Sequence, residues 1–68
     1  MSAAKFALGD TVRVINRRDY HWDRVGRITS ICKDDTWPSP FHVAGLHSLV
    51  PLWYGPEELI LAEKEDNR

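Results

Sequence analysis

The chain has 68 residues, a single cysteine and a formal net charge of −1. A domain of this length buries only roughly 60% of the surface its unfolded chain exposes, so its core is marginal unless a partner or a second copy adds to it. Cys32 alone excludes an internal disulfide framework and favours a reducing, cytoplasmic compartment, and the near-neutral balance speaks against a dedicated electrostatic nucleic-acid binder.

The opening MSAAKFALGD holds one lysine and no long apolar run, so residues 1–8 are expected to be a short arm rather than a signal peptide or membrane anchor. Turn signals at Gly9-Asp10, Gly26, Gly45 and Gly55-Pro56 then divide residues 9–62 into short β-branched runs, the spacing of a small barrel. In TVRVIN, residues 11–16, Val12 and Val14 alternate with Thr11 and Arg13, as on a half-buried strand. RRDYHWDR, residues 17–24, has no period and is too charged for a core; it reads as a long ordered loop. A second strand follows in VGRITSIC, residues 25–32, with Gly26 at a bulge or a close backbone approach.

KDDTWPSP, residues 33–40, reads as a turn held by Asp34-Asp35 and two prolines. A third strand is expected over 40–44 and a fourth over 47–54, joined by a tight turn at Ala44-Gly45 that sets Val43 opposite Leu46 and His42 opposite His47. Pro51 assigns that fourth run to an edge or a bulge. Pro56-Glu57-Glu58 predicts one helical turn, LILA at 59–62 a last strand, and residues 63–68 a charged, solvated tail. The expected fold is thus an all-β, SH3-like small barrel of about five strands with one short helical turn before the last. Its expected core is Val12, Val14, Val25, Ile28, Ile31, Phe41, Val43, Leu59 and Leu61.

GDTVRVINRRDYHWDRVGRITSI resembles the start of the family of small SH3-like barrel proteins that belong to photosystem I, in which a Gly-x-x-Val-Arg strand leads through a Tyr-Trp loop into Val-Gly-x-Val. GDTVRV, VGRI and the later proline-acid-Leu turn also resemble the barrel of nitrile hydratase β subunits. The resemblance covers residues 9–32 well and 55–61 loosely, and implies the barrel fold and a place in a larger assembly. After Pro40 the chain departs from the photosystem pattern, reading FHVAGL where that family has an Arg-Phe strand. Type II dihydrofolate reductase also opens with a Gly-Asp-x-Val-Arg strand, but its Val-Gln-Ile-Tyr stretch has no counterpart in SLVPLWY.

No constellation for catalysis stands out. Cys32 has no histidine near it in sequence and reads as a small apolar filler. Adjacent carboxylates at Glu57 and Glu58 diverge on a helical turn and read as favourable charge at its start. His42 and His47, if paired across a hairpin, supply two ligands of the three or four a metal needs, so solvated surface histidines are the plainer reading and no cofactor is expected.

The loop from residue 17 to 24 is where a partner is expected. Arg17, Arg18, Tyr20, Trp22 and Arg24, with Trp37, Trp53 and Tyr54 from the same side of the barrel, are the residue types that dominate binding surfaces. The alternative for Trp22 and Trp53 is that they plug the ends of a small core. Charge is polarised: residues 1–34 carry seven basic and four acidic side chains, residues 35–68 two basic and six acidic. An Arg-bearing end suits an acidic partner, unless the barrel spreads those charges evenly. The first reading is a non-catalytic module docking on a larger protein complex. Next comes a nucleic-acid binder using Arg17, Arg18, Arg24 and Arg27 on phosphates, and third a small-barrel enzyme or enzyme subunit whose site forms at an oligomer axis near SLVPLWY.

Overall fold

The computed structural model describes residues 6–34 and 36–62. Five strands form one antiparallel sheet: β1 (Thr11–Val14), β2 (Val25–Ile31), β3 (Phe41–Ala44), β4 (Trp53–Tyr54) and β5 (Leu59–Leu61), with a single 3₁₀ turn, η1 (Pro56–Glu58), before the last. Their order across the sheet is β4-β3-β2-β1-β5, and the curled sheet is the expected all-β small barrel. Each strand pairs its sequence neighbour except β5, which crosses to β1 and aligns Val12 with Leu61 and Val14 with Leu59. The expected tail, residues 63–68, lies outside the described residues.

Alternation explains β1: Val12 and Val14 are both fully buried, while Thr11 and Arg13 are half-buried on the other face. Strand β2 cannot obey one alternation throughout, because Ile28 and Ile31 are three residues apart and on a regular strand would face opposite sides. A bulge between Ile28 and Ser30 resolves the conflict. It resets the phase, so that Ile28 is buried and Ile31 also packs against the core. Val25 lies before the bulge, three residues from Ile28 and out of phase with it. It is 40% exposed, contrary to its expected place in the core.

Gly26 marks a close approach. A side-chain carbon there would lie 2.5 Å from the Ala44 carbonyl and 2.6 Å from a Val43 methyl, so β3 crosses β2 at a distance only glycine permits. The bulge itself sits two to four residues further on.

The core comprises Phe6, Val12, Val14, Ile28, Phe41, Val43, Leu46, Tyr54 and Leu59, with Ile31, Leu52 and Leu61 packed against it. Three of the nine buried residues, and Leu52 packed beside them, lie outside the expected core. Phe6, placed by sequence in an arm, is 4% exposed and meets Phe41 edge-on at 5.2 Å between ring centroids. Leu46 and Tyr54 are 3% and 2% exposed. Trp22 and Trp53 are not part of this cluster, so neither plugs the barrel.

The tight hairpin at Ala44-Gly45 does not form. His42 pairs with Trp53 and Phe41 with Tyr54, and residues 45–52 make a wide loop in place of the first six residues of the expected strand. Leu46 is the physical reason: it turns inward beneath Gly26, where a Cβ would come within 3.3 Å of its methyl. Burying it carries the chain away from the sheet edge, and His47 follows with a left-handed φ of 57°. His42 and His47 therefore do not face each other. Strand β4 shrinks to two residues flanked by Pro51 and Pro56, which blunts this edge against further pairing.

Candidate interaction surface

The loop between β1 and β2 is built from turns rather than from apolar contacts. Its neck closes where the Val14 N–H donates to the Arg24 carbonyl (3.0 Å) and the Asp23 N–H to the Val14 carbonyl (2.7 Å). Asp23 takes a left-handed φ of 70° there, a conformation its short polar side chain tolerates. Within the loop, Asp19, Trp22 and Arg24 donate backbone N–H bonds to Asn16, Asp19 and His21, each at 3.0 Å.

Asp19 is the hub. One carboxylate oxygen accepts the His21 N–H at 2.7 Å and the Tyr54 hydroxyl at 3.0 Å, and lies 3.5 Å from His21 Nδ1. Burial first, then the Asp19 carboxylate, raises the Tyr54 hydroxyl far above the ordinary tyrosine range, so it stays a donor at every physiological pH. Asn16 ties the loop to η1 by donating from Nδ2 to Glu58 at 2.8 Å, while its own oxygen accepts the Arg18 N–H. Glu58 also caps η1 by accepting the Gly55 N–H at 2.8 Å. On the far side of η1, a Cβ at Gly55 would lie 2.7 Å from the Pro38 carbonyl, so the β2–β3 connection passes directly against the start of the turn.

This anchoring decides which loop side chains face solvent. His21 turns inward onto Asp19, and its neighbours Tyr20 and Trp22 point out, 92% and 43% exposed. The Arg17 guanidinium lies over the Trp22 ring, 5.4 Å from its centroid. Arg18 and Arg24 are exposed on the same loop.

The other expected contact residues divide. Trp37, 54% exposed, stands on the β2–β3 connection, where the Asp34 carboxylate accepts the Thr36 hydroxyl and N–H and is held below its usual pKa by them. Trp53, 41% exposed, lies on the outer face of the sheet against His42, whose Nδ1 is 2.6 Å from the Thr29 hydroxyl. Tyr54 has no surface to offer: its ring is core and its hydroxyl belongs to Asp19. Among the described residues no ring contact joins Trp22, Trp37 and Trp53 to one another.

Charges are spent unequally. Asp10 accepts the Ala7 N–H, Asp23 accepts from Arg13, and Asp19, Asp34 and Glu58 serve the contacts above. By contrast, among the described residues no carboxylate pairs with Arg17, Arg18, Arg24 or Arg27. Nor do the described residues contain a group of three His, Cys, Asp or Glu able to hold a metal, or a helix long and apolar enough to cross a membrane.

Fold and site together define a class: a small antiparallel barrel that carries one ordered, aromatic and arginine-bearing loop. Compared with known proteins, the chain matches no family model and no curated protein.

Proposed function

We propose that this chain is a non-catalytic interaction module that docks on a larger protein complex through the β1–β2 loop, with Trp37 and Trp53 as further contacts. The observation that carries the reading is the Asp19 hub, which orders an otherwise polar loop so that Tyr20 and Trp22 stand outward beside arginines that pair with no carboxylate among the described residues. An ordered loop loses little entropy on binding, and Tyr, Trp and Arg supply rigid or fork-shaped contact area. Arginines without internal carboxylates complement an acidic partner surface. The resemblance of residues 9–32 to components of larger assemblies agrees with an accessory role, and the lone Cys32 favours a reducing compartment over secretion.

A second reading, nucleic-acid binding, rests on the same four arginines. It is weakened by the charge balance, a formal net charge of −1 with six acidic against two basic side chains in residues 35–68.

The test is affinity capture with the immobilised full chain from its native cell, repeated with Tyr20→Ala/Trp22→Ala. Loss of roughly 1–4 kcal/mol in association with the captured partner supports the reading. Charge reversal at Arg17 and Arg18 should mainly slow association. A folded double variant with unchanged affinity refutes the loop as the site. Affinity for a single-stranded oligonucleotide that falls linearly with salt on logarithmic axes would favour the second reading.

A further inference from the structure

The strands carry two charged side chains, Arg13 and Arg27, and no carboxylate. Both arginines belong to the outward face of the sheet, since their sequence neighbours Val12, Val14, Gly26 and Ile28 are buried. The two are not equivalent. Arg13 is held at the loop neck, where it donates to the Asp23 carbonyl at 2.9 Å and to its carboxylate at 3.3 Å. Arg27, exposed in mid-sheet between Thr11 of β1 and Ala44 of β3, pairs with no carboxylate among the described residues.

A solvated sheet face would surround such a cation with polar side chains. On this face Val25 is 40% exposed and Trp53 41%, and Ile60, in register with Arg13, is half-buried. Trp53 is also held in place. Its ring meets His42 with centroids 5.0 Å apart, and His42 Nδ1 lies 2.6 Å from the Thr29 hydroxyl. Strands β2, β3 and β4 thus contribute one side chain each to a fixed row. Ala44, opposite Arg27 and two residues from His42 on the same face of β3, leaves a low step between the cation and the aromatic ring.

We propose that the docking surface continues from the β1–β2 loop onto this outward face, and that it takes an extended acidic segment of the protein partner there. A carboxylate of that segment sits on Arg27, and a neighbouring side chain lies against Trp53. The proposal rests on the reading that the chain docks on protein. Charge complementarity selects the occupant: Arg27 offers a guanidinium fork that no carboxylate of the described chain fills, beside an ordered aromatic ring. From β2 to β4 is two strand spacings, about 10 Å, which roughly three residues of extended chain can span. A nucleic-acid strand would need cations repeated along its phosphates, and Arg27 is the one cation of these strands that Asp23 does not hold. A second copy set face to face would meet Arg27 with strands that hold no carboxylate.

The test is an NMR titration of the full chain with end-blocked hexaglutamate, set against hexathymidylate and hexalysine. Hexaglutamate should move the Arg27 Nε–H, the Thr29 and His42 amides and the Trp53 indole N–H, and hexalysine should not. Arg27→Gln should weaken that binding at least about threefold with the melting temperature unchanged, and Arg27→Lys should restore most of it. Hexaglutamate that leaves this face unmoved, or that binds Arg27→Gln as tightly as wild type, overturns the proposal. Hexathymidylate that binds the same residues more tightly than hexaglutamate overturns it in favour of nucleic acid. Failure of the loop is read separately. Hexaglutamate shifts confined to residues 17–24 refute this face and leave the loop standing, whereas a captured partner sensitive to Arg27→Gln but indifferent to Tyr20→Ala/Trp22→Ala refutes the loop and leaves this face.

Discussion

Two loops of this barrel, β1–β2 and β3–β4, are ordered by opposite means. The β1–β2 loop is charged and held by side chains that reach distant elements, Asp19 to Tyr54 and Asn16 to Glu58, with Arg13 of β1 bonding Asp23 at its neck. The β3–β4 loop is uncharged, sends Leu46 into the core, and is otherwise shaped by Ser48 bonding its own neighbour. In a small domain a loop can be fixed by polar bonds to the scaffold or by burying one of its own residues. The first way leaves aromatic and cationic side chains free for a partner, and the second leaves an apolar tip.

One substitution should break both loops. Gly26 follows the end of the first and lies under Ala44 and Leu46 at the root of the second. Gly26→Val forces β2 and β3 apart and is expected to cost about 3 kcal/mol or more, read as a lower denaturant midpoint, which a domain this small can scarcely absorb.

Asp19→Ala separates the loops. It strands the buried Tyr54 hydroxyl and removes the acceptor of the His21 N–H, for an expected loss of about 1–3 kcal/mol. Amide hydrogen exchange should accelerate in residues 16–24 and stay unchanged in residues 45–52. Equal acceleration in both would show that the two are one cooperative unit.

Tyr54→Phe sharpens the same contrast with pH. The folded chain holds the Tyr54 hydroxyl above its ordinary pKa, so it favours the protonated form. The associated stability is complete below the unfolded value of about 10 and falls as pH rises beyond it. Wild type should therefore lose melting temperature above about pH 10, and Tyr54→Phe should lose less over that range, at a cost of about 0.5–1.5 kcal/mol near neutrality.

The smallest effects belong to the outward residues. Tyr20→Ala and Leu49→Ser should each change stability by no more than about 0.5 kcal/mol, since neither side chain packs on the core. A larger loss at Tyr20 would mean that its edge contact with His21 helps hold the loop.

Short-range chemistry is legible in the sequence itself. Alternation in TVRV, the Pro-Glu-Glu turn and the punctuation at Gly9, Gly26 and Gly55 lead directly to an all-β barrel with one 3₁₀ turn before its last strand, because strand period and turn residues act over a few positions. The loop of residues 17–24 also declares itself, being charged and without period. Val25, Ile28 and Ile31 at odd successive separations already imply a break in phase, but only the position of the bulge, between Ile28 and Ser30, puts Val25 outside the core.

What tertiary structure alone decided is where chain segments distant in sequence meet. Phe6 became core because Phe41 offers it a ring edge. Leu46 turned inward because Gly26 leaves it room, and this opened the expected tight hairpin and separated His42 from His47. Tyr54 left the contact surface because its ring fills the barrel and its hydroxyl finds Asp19, thirty-five positions earlier. Each outcome depends on the volume and hydrogen-bonding groups of a partner that no local pattern specifies, so burial and side-chain pairing are settled only once the strands pack together.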